Sequence, residues 1–281
     1  MSVKKRILSI SHMILPYLGE DTAIGQISSK LPLFLSDQQG HELRVLTPRF
    51  GAINERRHRL HEVVRLSGIN IIINEDDFPL IIKVASMPGS RLQVYFLENE
   101  DYYKRRAVLT DDDGNFFDDN AERMIFFCRG VLETVRKFGW APDVIHCHGW
   151  MTSLVPWYVK TFYNNVPVFS NSKVIYSVYD NEFEGTLNQE SFKLKATMKG
   201  GNPADLEAFG NTSNNDLHKA AINWADAVVT ATTNSQIDAD LDNFIKNKKD
   251  LLFLDHYADD NYLGAYKNLY QQLFDLGEQT Q

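Results

Sequence analysis

Short apolar runs rich in β-branched and aromatic residues recur along the chain, and stretches with helical spacing separate them. Alternation of this kind predicts a Rossmann-like α/β fold, in which helices cover both faces of a mostly parallel sheet. The runs predict seven strands, at residues 6–11, 42–46, 92–97, 143–147, 173–178, 227–232 and 251–254.

Two helices are especially clear in the pattern. The first is predicted to begin at Asp119, where Glu122 would complete a capping box three residues later. The second is predicted over residues 263–276, with apolar residues at helical spacing along one side. In the first helix the apolar face holds Met124, Phe127, Cys128, Val131 and Val135, and the opposite, polar face holds Arg129, Glu133, Arg136 and Lys137.

Two regions interrupt this alternation. Between about residues 63 and 97, short apolar runs separated by Asn and acidic residues predict a small β-hairpin insertion. From about 189 to 215 the chain is polar and rich in Gly and Asn, which predicts a long mobile loop. Neither region has the character of a boundary, so residues 1–281 are expected to form a single domain.

Composition and charge narrow the classes of function. Of the 281 residues, 43% are hydrophobic and 23% are charged, as in an ordinary globular protein. The net charge of -8, without a basic stripe, argues against nucleic-acid or membrane partners, and no run of about 18 apolar residues predicts a membrane span. Cys128 and Cys147 lie in apolar segments and are expected to be reduced core thiols, which favours a cytoplasmic location.

The loop after the first strand is one candidate site. It lies at the carboxyl edge of the predicted sheet, where a helix amino terminus can hold a phosphate. A phosphate site would need glycines and a basic side chain, whereas this loop offers Glu20 and Asp21, which would repel a diphosphate. The alternative interpretation is that Thr22 or Asp21 simply caps the helix.

The second candidate is the run His146-Cys147-His148 at the end of a buried strand. Alternate residues of a strand point to opposite faces, so Cys147 cannot easily share a metal ion with the two histidines. The structural alternative is that backbone groups at the strand end satisfy the imidazoles and that Trp150 packs below a helix. We therefore expect neither a metal nor a cofactor.

Several segments, taken together, identify a family resemblance. The most specific are Leu31-Pro32, residues 40–53 (GHELRVLTPRFGAI) and residues 142–150 (PDVIHCHGW). They resemble the starch synthase catalytic domain of bacterial and plant glycogen/starch synthases. The resemblance implies the amino-terminal half of a GT-B fold and a family reaction in which glucose passes from ADP-glucose to an α-1,4-glucan. It also implies that the carboxyl-terminal domain, which carries the diphosphate clamp in the family, is expected to be absent.

The chain departs from the family where the family contacts the nucleotide. In place of the family's Lys-x-Gly-Gly-Leu loop, a gapless match to the Leu-Pro pair gives Glu20, Asp21, Thr22 and Ala23, followed by isoleucine. An acid becomes the counterpart of the lysine, and both glycines gain a side chain. The acidic residue that follows in the family's first helix is Gln26 here.

The positions matching the family's sugar contacts also differ. The family's His-x-His-Asp-Trp-His segment keeps both leading histidines and the tryptophan, but its Asp is Gly149 and its last His is Met151. The family's Val-His-Asn segment continues here with Tyr179 and Asp180 after the valine. No catalytic residue is expected to be intact. The cleft positions matching the family's substrate contacts are Glu20, Asp21, Thr22, Ala23, Gln26, His146, His148, Gly149, Trp150, Met151, Tyr179 and Asp180.

Three hypotheses follow for the function. The first is a glucosyltransferase half that works with a separately encoded carboxyl-terminal domain or with a full synthase, its own contact with sugar nucleotide being weak or lost. The second is a non-catalytic module that binds an α-glucan, a metabolite or a partner protein. The third is a new small-molecule site built from His146, His148, Tyr179 and Asp180. An apolar patch near the last helix would favour a homo-oligomer or a complex.

Overall fold

A mostly parallel sheet organises the protein. The computed structural model describes residues 4–19, 22–38, 41–179, 183–232, 237–256 and 261–279, and within them the sheet has ten strands. These are β1 (Arg6–Ser11), β2 (Glu42–Pro48), β3 (His61–Glu62), β4 (Ile69–Ile73), β5 (Asp76–Ser86), β6 (Gln93–Glu98), β7 (Val144–His148), β8 (Lys173–Val178), β9 (Ala227–Thr230) and β10 (Leu252–Asp255).

Helices connect these strands. They are α1 (Ala23–Leu33), α2 (Glu55–His58), α3 (Glu100–Tyr103), α4 (Asn120–Phe138), α5 (Leu154–Thr161), α6 (Gln189–Lys195), α7 (Asn214–Asn223), α8 (Ala239–Lys246) and α9 (Tyr262–Gln279). Among the described residues, no helix combines the length and the apolar character needed to span a bilayer.

The strand order is β10-β9-β8-β7-β1-β2-β6-β5-β3, with β4 paired to β5. The pairings from β10 through to β6 are parallel, whereas β5 runs antiparallel to β6, to β3 and to β4. All seven predicted strands and the predicted fold class are confirmed. The predicted hairpin is the β4–β5 pair, and β6 joins the parallel part of the sheet.

Alternate residues of each strand supply two apolar cores. One core joins Leu8 and Ile10 of β1 to the inward faces of α4, α5 and α7. The other joins Ile7 of β1 to α1 and α9, whose Tyr266, Leu269 and other inward residues are buried. The two faces are covered because the strands are apolar on both sides, as a parallel sheet requires.

The predicted helix over α4 is present, but its predicted capping box is wrong. Asp119 is the N-cap residue and makes no side-chain capping bond. Glu122 instead accepts hydrogen bonds from the Ser191 hydroxyl and from Lys195 Nζ, both at 2.7 Å. The reason is tertiary: α6 packs against α4 and brings these donors to Glu122.

Arg129 was predicted on the polar face of this helix and is instead buried, with 5% of its surface exposed. Its guanidinium donates to the carbonyls of Lys195, Ala196 and Thr197 at 2.6 to 3.1 Å, at the carboxyl end of α6. It also donates to the carbonyl of Ile72 in β4 at 2.5 Å. One arginine thus joins α4 to two neighbouring elements.

Residues 189–215, predicted to form a long mobile loop, do not form one continuous loop in the structure. The region contains α6, a 3-10 helix at Pro203–Phe209 and the start of α7. Its polar residues are helix caps: Asn188 and Asn202 accept from backbone N–H groups, and Ser213 forms a capping box with Asp216. The polar residues that suggested a loop are therefore the N-caps of three short helices.

The last helix is confirmed and packs its apolar face onto the sheet. Of the apolar residues near it, Phe253 on β10 is 53% exposed and Leu276 is 43% exposed. Most of the apolar surface expected as a patch is thus covered by the fold itself.

Candidate functional site

The carboxyl ends of three neighbouring strands meet at one edge of the sheet. Ser11, the last residue of β1, lies opposite His148 of β7, and His148 lies opposite Ser177 of β8. The residues that follow these strands therefore come together at this edge. In open α/β sheets, ligands usually bind at the carboxyl ends of the strands.

His146 and His148 lie side by side on the face covered by α9. Their rings are stacked with centroids 3.9 Å apart. His146 hydrogen-bonds through Nδ1 to the Tyr270 hydroxyl and through Nε2 to the Ser177 hydroxyl, both at 2.7 Å. His148 Nδ1 lies 2.9 Å from the Tyr179 hydroxyl. The expectation of backbone partners is wrong for these contacts, since side-chain hydroxyls provide them.

Burial sets the charge of this pair. Desolvation lowers the pKa of His148 to about 3, and it lowers the pKa of His146 well below its usual value. Both imidazoles are therefore neutral near pH 7. His148 Nε2 is buried and has no hydrogen-bond partner in the described part of the chain. The pair can exchange hydrogen bonds with a ligand or with neighbouring hydroxyls, but it offers no positive charge to a phosphate.

Cys147 lies between the two histidines in sequence and on the other side of the sheet in space. It belongs to the core beneath α4, and burial raises the pKa of its thiol. Within the described ranges, no three His, Cys, Asp or Glu side chains are grouped as a metal ion would need.

The segment after β7 turns sharply at Gly149, whose φ of 74° and ψ of 175° fall in a region that essentially only glycine adopts. Trp150 and Met151 follow in a 3-10 turn, and both are fully buried. Met151 lies in the core under α4, where its carbonyl accepts from the Cys128 thiol at 3.2 Å. Trp150 packs in the same core and also contacts aromatic residues of the loops at the sheet edge.

The beginning of α1 agrees with the capping interpretation. The Thr22 hydroxyl accepts from the Gly25 N–H at 3.1 Å and donates to the Gly19 carbonyl at 2.9 Å. Ala23 is partly exposed and Gln26 is exposed. The other members of the predicted cleft in this region and after β8, Glu20, Asp21 and Asp180, lie outside the described residues.

A cavity of about 760 Å³ opens beside this edge, and no sequence pattern predicts it. Phe116 and Phe183 stack in its wall with ring centroids 4.8 Å apart and planes 12° apart. Its lining comes from three loops that are far apart in the chain, and the lining residues follow no helical or strand periodicity. The lining residues are Met13, Arg106, Ala107, Val108, Leu109, Thr110, Gly114, Phe116, Phe183 and Glu184.

The aromatic pair connects the cavity to the predicted cleft. Trp150 lies with its ring centroid 4.9 Å from that of Phe183 and 5.8 Å from that of Phe116. His12, directly after β1, lies 6.0 Å from Trp150 on the same measure. The structure therefore places Trp150 directly beneath the aromatic wall, while the pair of His146 and His148 forms a separate, buried group.

Comparison with known proteins gives the same picture of the fold and of its ancestry. Residues 6–237 match the family model described as the starch synthase catalytic domain. A glycogen synthase from Chlorobium luteolum is 38% identical over 189 residues, which cover 67% of this chain and 38% of that protein. A glycogen synthase from Pelodictyon phaeoclathratiforme is 31% identical over 230 residues, which cover 81% of this chain and 45% of that protein.

The catalytic domain of starch synthase IV from Arabidopsis thaliana, solved bound to ADP and acarbose, superimposes with a TM-score of 0.66. It is 18% identical to this chain, and the match covers 81% of this chain and 45% of the plant one. The matched region thus spans less than half the length of each of these three proteins. With the family model matching from β1 through β9, this chain belongs to the starch synthase catalytic domain family.

Proposed function

We propose that this chain binds an α-glucan at the carboxyl edge of its sheet and does not transfer glucose from ADP-glucose by itself. The observation that carries the first part is the cavity of about 760 Å³ with its stacked pair Phe116 and Phe183. The second part rests on the altered nucleotide and sugar positions. The family suggests the class of substrate. The geometry of this chain suggests which part of the sheet edge binds a glucan and which part has only a structural role.

The cavity has the chemistry of a sugar site. Its volume lies within the range of about 300 to 1,000 Å³ that is usual for small-molecule sites. The stacked rings offer a flat apolar surface to the C–H face of a glucose unit. Arg106, Thr110 and Glu184 bring a donor, a hydroxyl and an acceptor to the same lining. An uncharged oligosaccharide can use all of these groups without needing a counter-charge.

The nucleotide side of the edge is less suited to its family ligand. By sequence, Glu20 stands where the family has the phosphate-binding lysine. A charge-assisted hydrogen bond contributes about 1.5 to 3 kcal/mol, and replacing the cation by an acid changes attraction to repulsion. The neutral pair of His146 and His148 does not offset that loss, because stabilising a leaving diphosphate requires preorganised cations.

The hydroxyl of Tyr179 acts in the same direction. It stands where the family has a histidine that contacts the transferred glucose, and here it lies 2.9 Å from His148 Nδ1 with only 4% of the residue exposed. A sugar hydroxyl would have to displace this contact. We therefore assign this part of the edge a structural role, and we assign glucan recognition to the aromatic wall.

The proposal is tested by titrating maltoheptaose into the purified chain in a calorimeter. Binding should be saturable, and Phe116→Ala should weaken it by about tenfold, because burying an aromatic side chain contributes roughly 1.5 to 3 kcal/mol and the substitution removes one ring from the sugar-binding wall. The matched control is Phe253→Ala, which removes an equally large ring from β10, where Phe253 is 53% exposed. Equal effects of the two substitutions, or no saturable binding, would contradict glucan recognition at this cavity.

A transfer assay tests the second part. The chain alone should incorporate no glucose from labelled ADP-glucose into glycogen. Incorporation by the chain alone at a rate typical of enzymes, about 1 per second or faster, would contradict the proposal. Addition of a full-length synthase then tests whether the chain acts as part of a complex, and light scattering tests the predicted self-association.

A further inference from the structure

A second cavity, of about 700 Å³, lies on another part of the molecule and shares no lining residue with the glucan cavity. It is enclosed by the segment around α2 and β3, by the β5–β6 turn and by one residue of the β1–α1 connection. Its lining includes Tyr17, Arg57, His58, Arg59, Ala85 and Met87. We call it the arginine pocket.

The rim of the arginine pocket is cationic and uncompensated. Arg57 and Arg59 are exposed, and neither has an ion pair within the described part of the chain. The acid nearest in sequence, Glu55, is already engaged: it pairs with Arg49 and, at 2.9 Å, with Lys83. No carboxylate is among the lining residues.

Both arginines line the pocket, and the backbone at Arg59 has a special conformation. Arg59 caps α2 in the left-handed region, with φ 54° and ψ 42°, and its N–H donates to the carbonyls of Arg56 and Glu55. A glycine would adopt this left-handed conformation at lower free-energy cost. The chain nevertheless has an arginine at this position. Burial lowers the pKa of His58, and the positive charge of Arg57 beside it lowers that pKa further.

The floor of the pocket is apolar and fixed. Tyr17, Ala85 and Met87 are at most 6% exposed. The Tyr17 hydroxyl donates to the Ser86 carbonyl at 3.1 Å, and its ring packs edge-on against Phe96 and His58 with centroids 4.9 and 4.8 Å away. A preformed floor of this kind accepts the body of a small molecule without an ordering cost.

From these features we propose that the arginine pocket binds a phosphorylated small molecule, with the phosphate at Arg57 and Arg59 and the sugar or base on the floor formed by Tyr17 and Met87. Arginine is the residue best suited to bidentate phosphate contacts. Separation from the glucan cavity makes this a second site, where a metabolite can bind while a glucan is held elsewhere.

The test is calorimetric titration with glucose 6-phosphate, ADP and inorganic pyrophosphate at about 0.15 M salt, where surface charges are screened beyond about 8 Å. At least one of the three should bind saturably with a Kd below about 1 mM. The variant Arg57→Gln/Arg59→Gln should weaken that binding by about tenfold or more, since it removes two charge-assisted contacts. It should leave maltoheptaose binding unchanged, which separates this site from the glucan site.

The matched control is Arg56→Gln/Arg65→Gln, which removes the same charge from exposed arginines that do not line the pocket. Its affinity for the same probe should stay within about twofold of the parent chain. The proposal is overturned if none of the three probes saturates, if the pocket variant binds like the parent, or if both variants lose affinity equally. Circular dichroism spectra of both variants should match that of the parent.

Discussion

Replacing Arg129 with methionine should lower the free energy of unfolding by about 3 to 5 kcal/mol. The buried guanidinium donates to the carbonyls of Lys195, Ala196 and Thr197 and to that of Ile72. A hydrogen bond to a charged group contributes about 1.5 to 3 kcal/mol, and bonds that share one donor group are not additive. Methionine fills much of the same space, so the loss reports the hydrogen bonds more than a cavity.

Urea unfolding followed by circular dichroism measures the effect. The matched control is Arg136→Met on the same helix, because Arg136 has a 57% exposed side chain and pairs with Glu133 three residues away. That substitution should cost no more than about 1 kcal/mol. Arg129→Lys should fall between the two, since an ammonium cannot reach all four carbonyls. A loss below about 1 kcal/mol for Arg129→Met would refute the idea that this guanidinium ties α6 and β4 to α4.

Three further predictions concern the sheet edge and the buried histidines. Tyr179→Phe should cost about 1 to 2 kcal/mol in chemical unfolding, because it removes the hydroxyl at 2.9 Å from buried His148; no loss would contradict the contact. Gly149→Asp, which restores the family residue, should cost about 1 to 3 kcal/mol in thermal melting, and Gly149→Ala should cost as much, because φ of 74° penalises any side chain. Burial lowers the pKa of His12, His148 and His218 to about 3, so the stability that they contribute is complete above about pH 6.5 and is lost as the pH falls toward 3. Between pH 6 and 4.5 the free energy of unfolding should fall by at least about 1.4 kcal/mol per pH unit, the value for one histidine, and a flat profile would refute this.

The sequence predicts the parallel sheet well because each strand is a compact apolar run. β1 and β8 are predicted to the residue, since polar or turn-forming neighbours end both runs. The β4–β5 hairpin is also predicted, because its two apolar runs are separated by polar turn residues. Information of this kind is local, and elements defined by local patterns are found without knowledge of the fold.

What the sequence does not predict depends on partners that are distant in the chain. Arg129 is a charged residue on the face of α4 that the sequence pattern predicts to be polar. Its burial is explained only by its contacts with the end of α6, 66 to 68 residues later in the chain. Glu122 has the correct spacing for a capping box, but Ser191 and Lys195 compete successfully for it. In both cases tertiary contacts override a local rule.

The candidate site divides in the same way. The family motif locates His146 and His148 at the sheet edge, and the structure brings them together. The motif alone cannot show that their hydrogen-bond partners are the hydroxyls of Tyr270 and Ser177, which lie 124 and 31 residues away in the chain. The stacked pair Phe116 and Phe183 is equally distant in sequence, and neither residue belongs to a periodic pattern. Cavities assembled from loops have no signature in a single sequence.

The central position of β1 has a consequence for how the chain folds during synthesis. Its partner on one side, β2, follows within a few tens of residues, but its partner on the other side is β7, where Ile7 pairs with Val144. At about 5 to 20 residues per second, a ribosome needs roughly 7 to 27 seconds to translate the residues between them. During that time one edge of β1 has no strand beside it, and both its faces carry apolar residues, Ile7 on one and Leu8 and Ile10 on the other. The nascent chain therefore exposes an unpaired, aggregation-prone strand edge, which a chaperone can protect until β7 is synthesised.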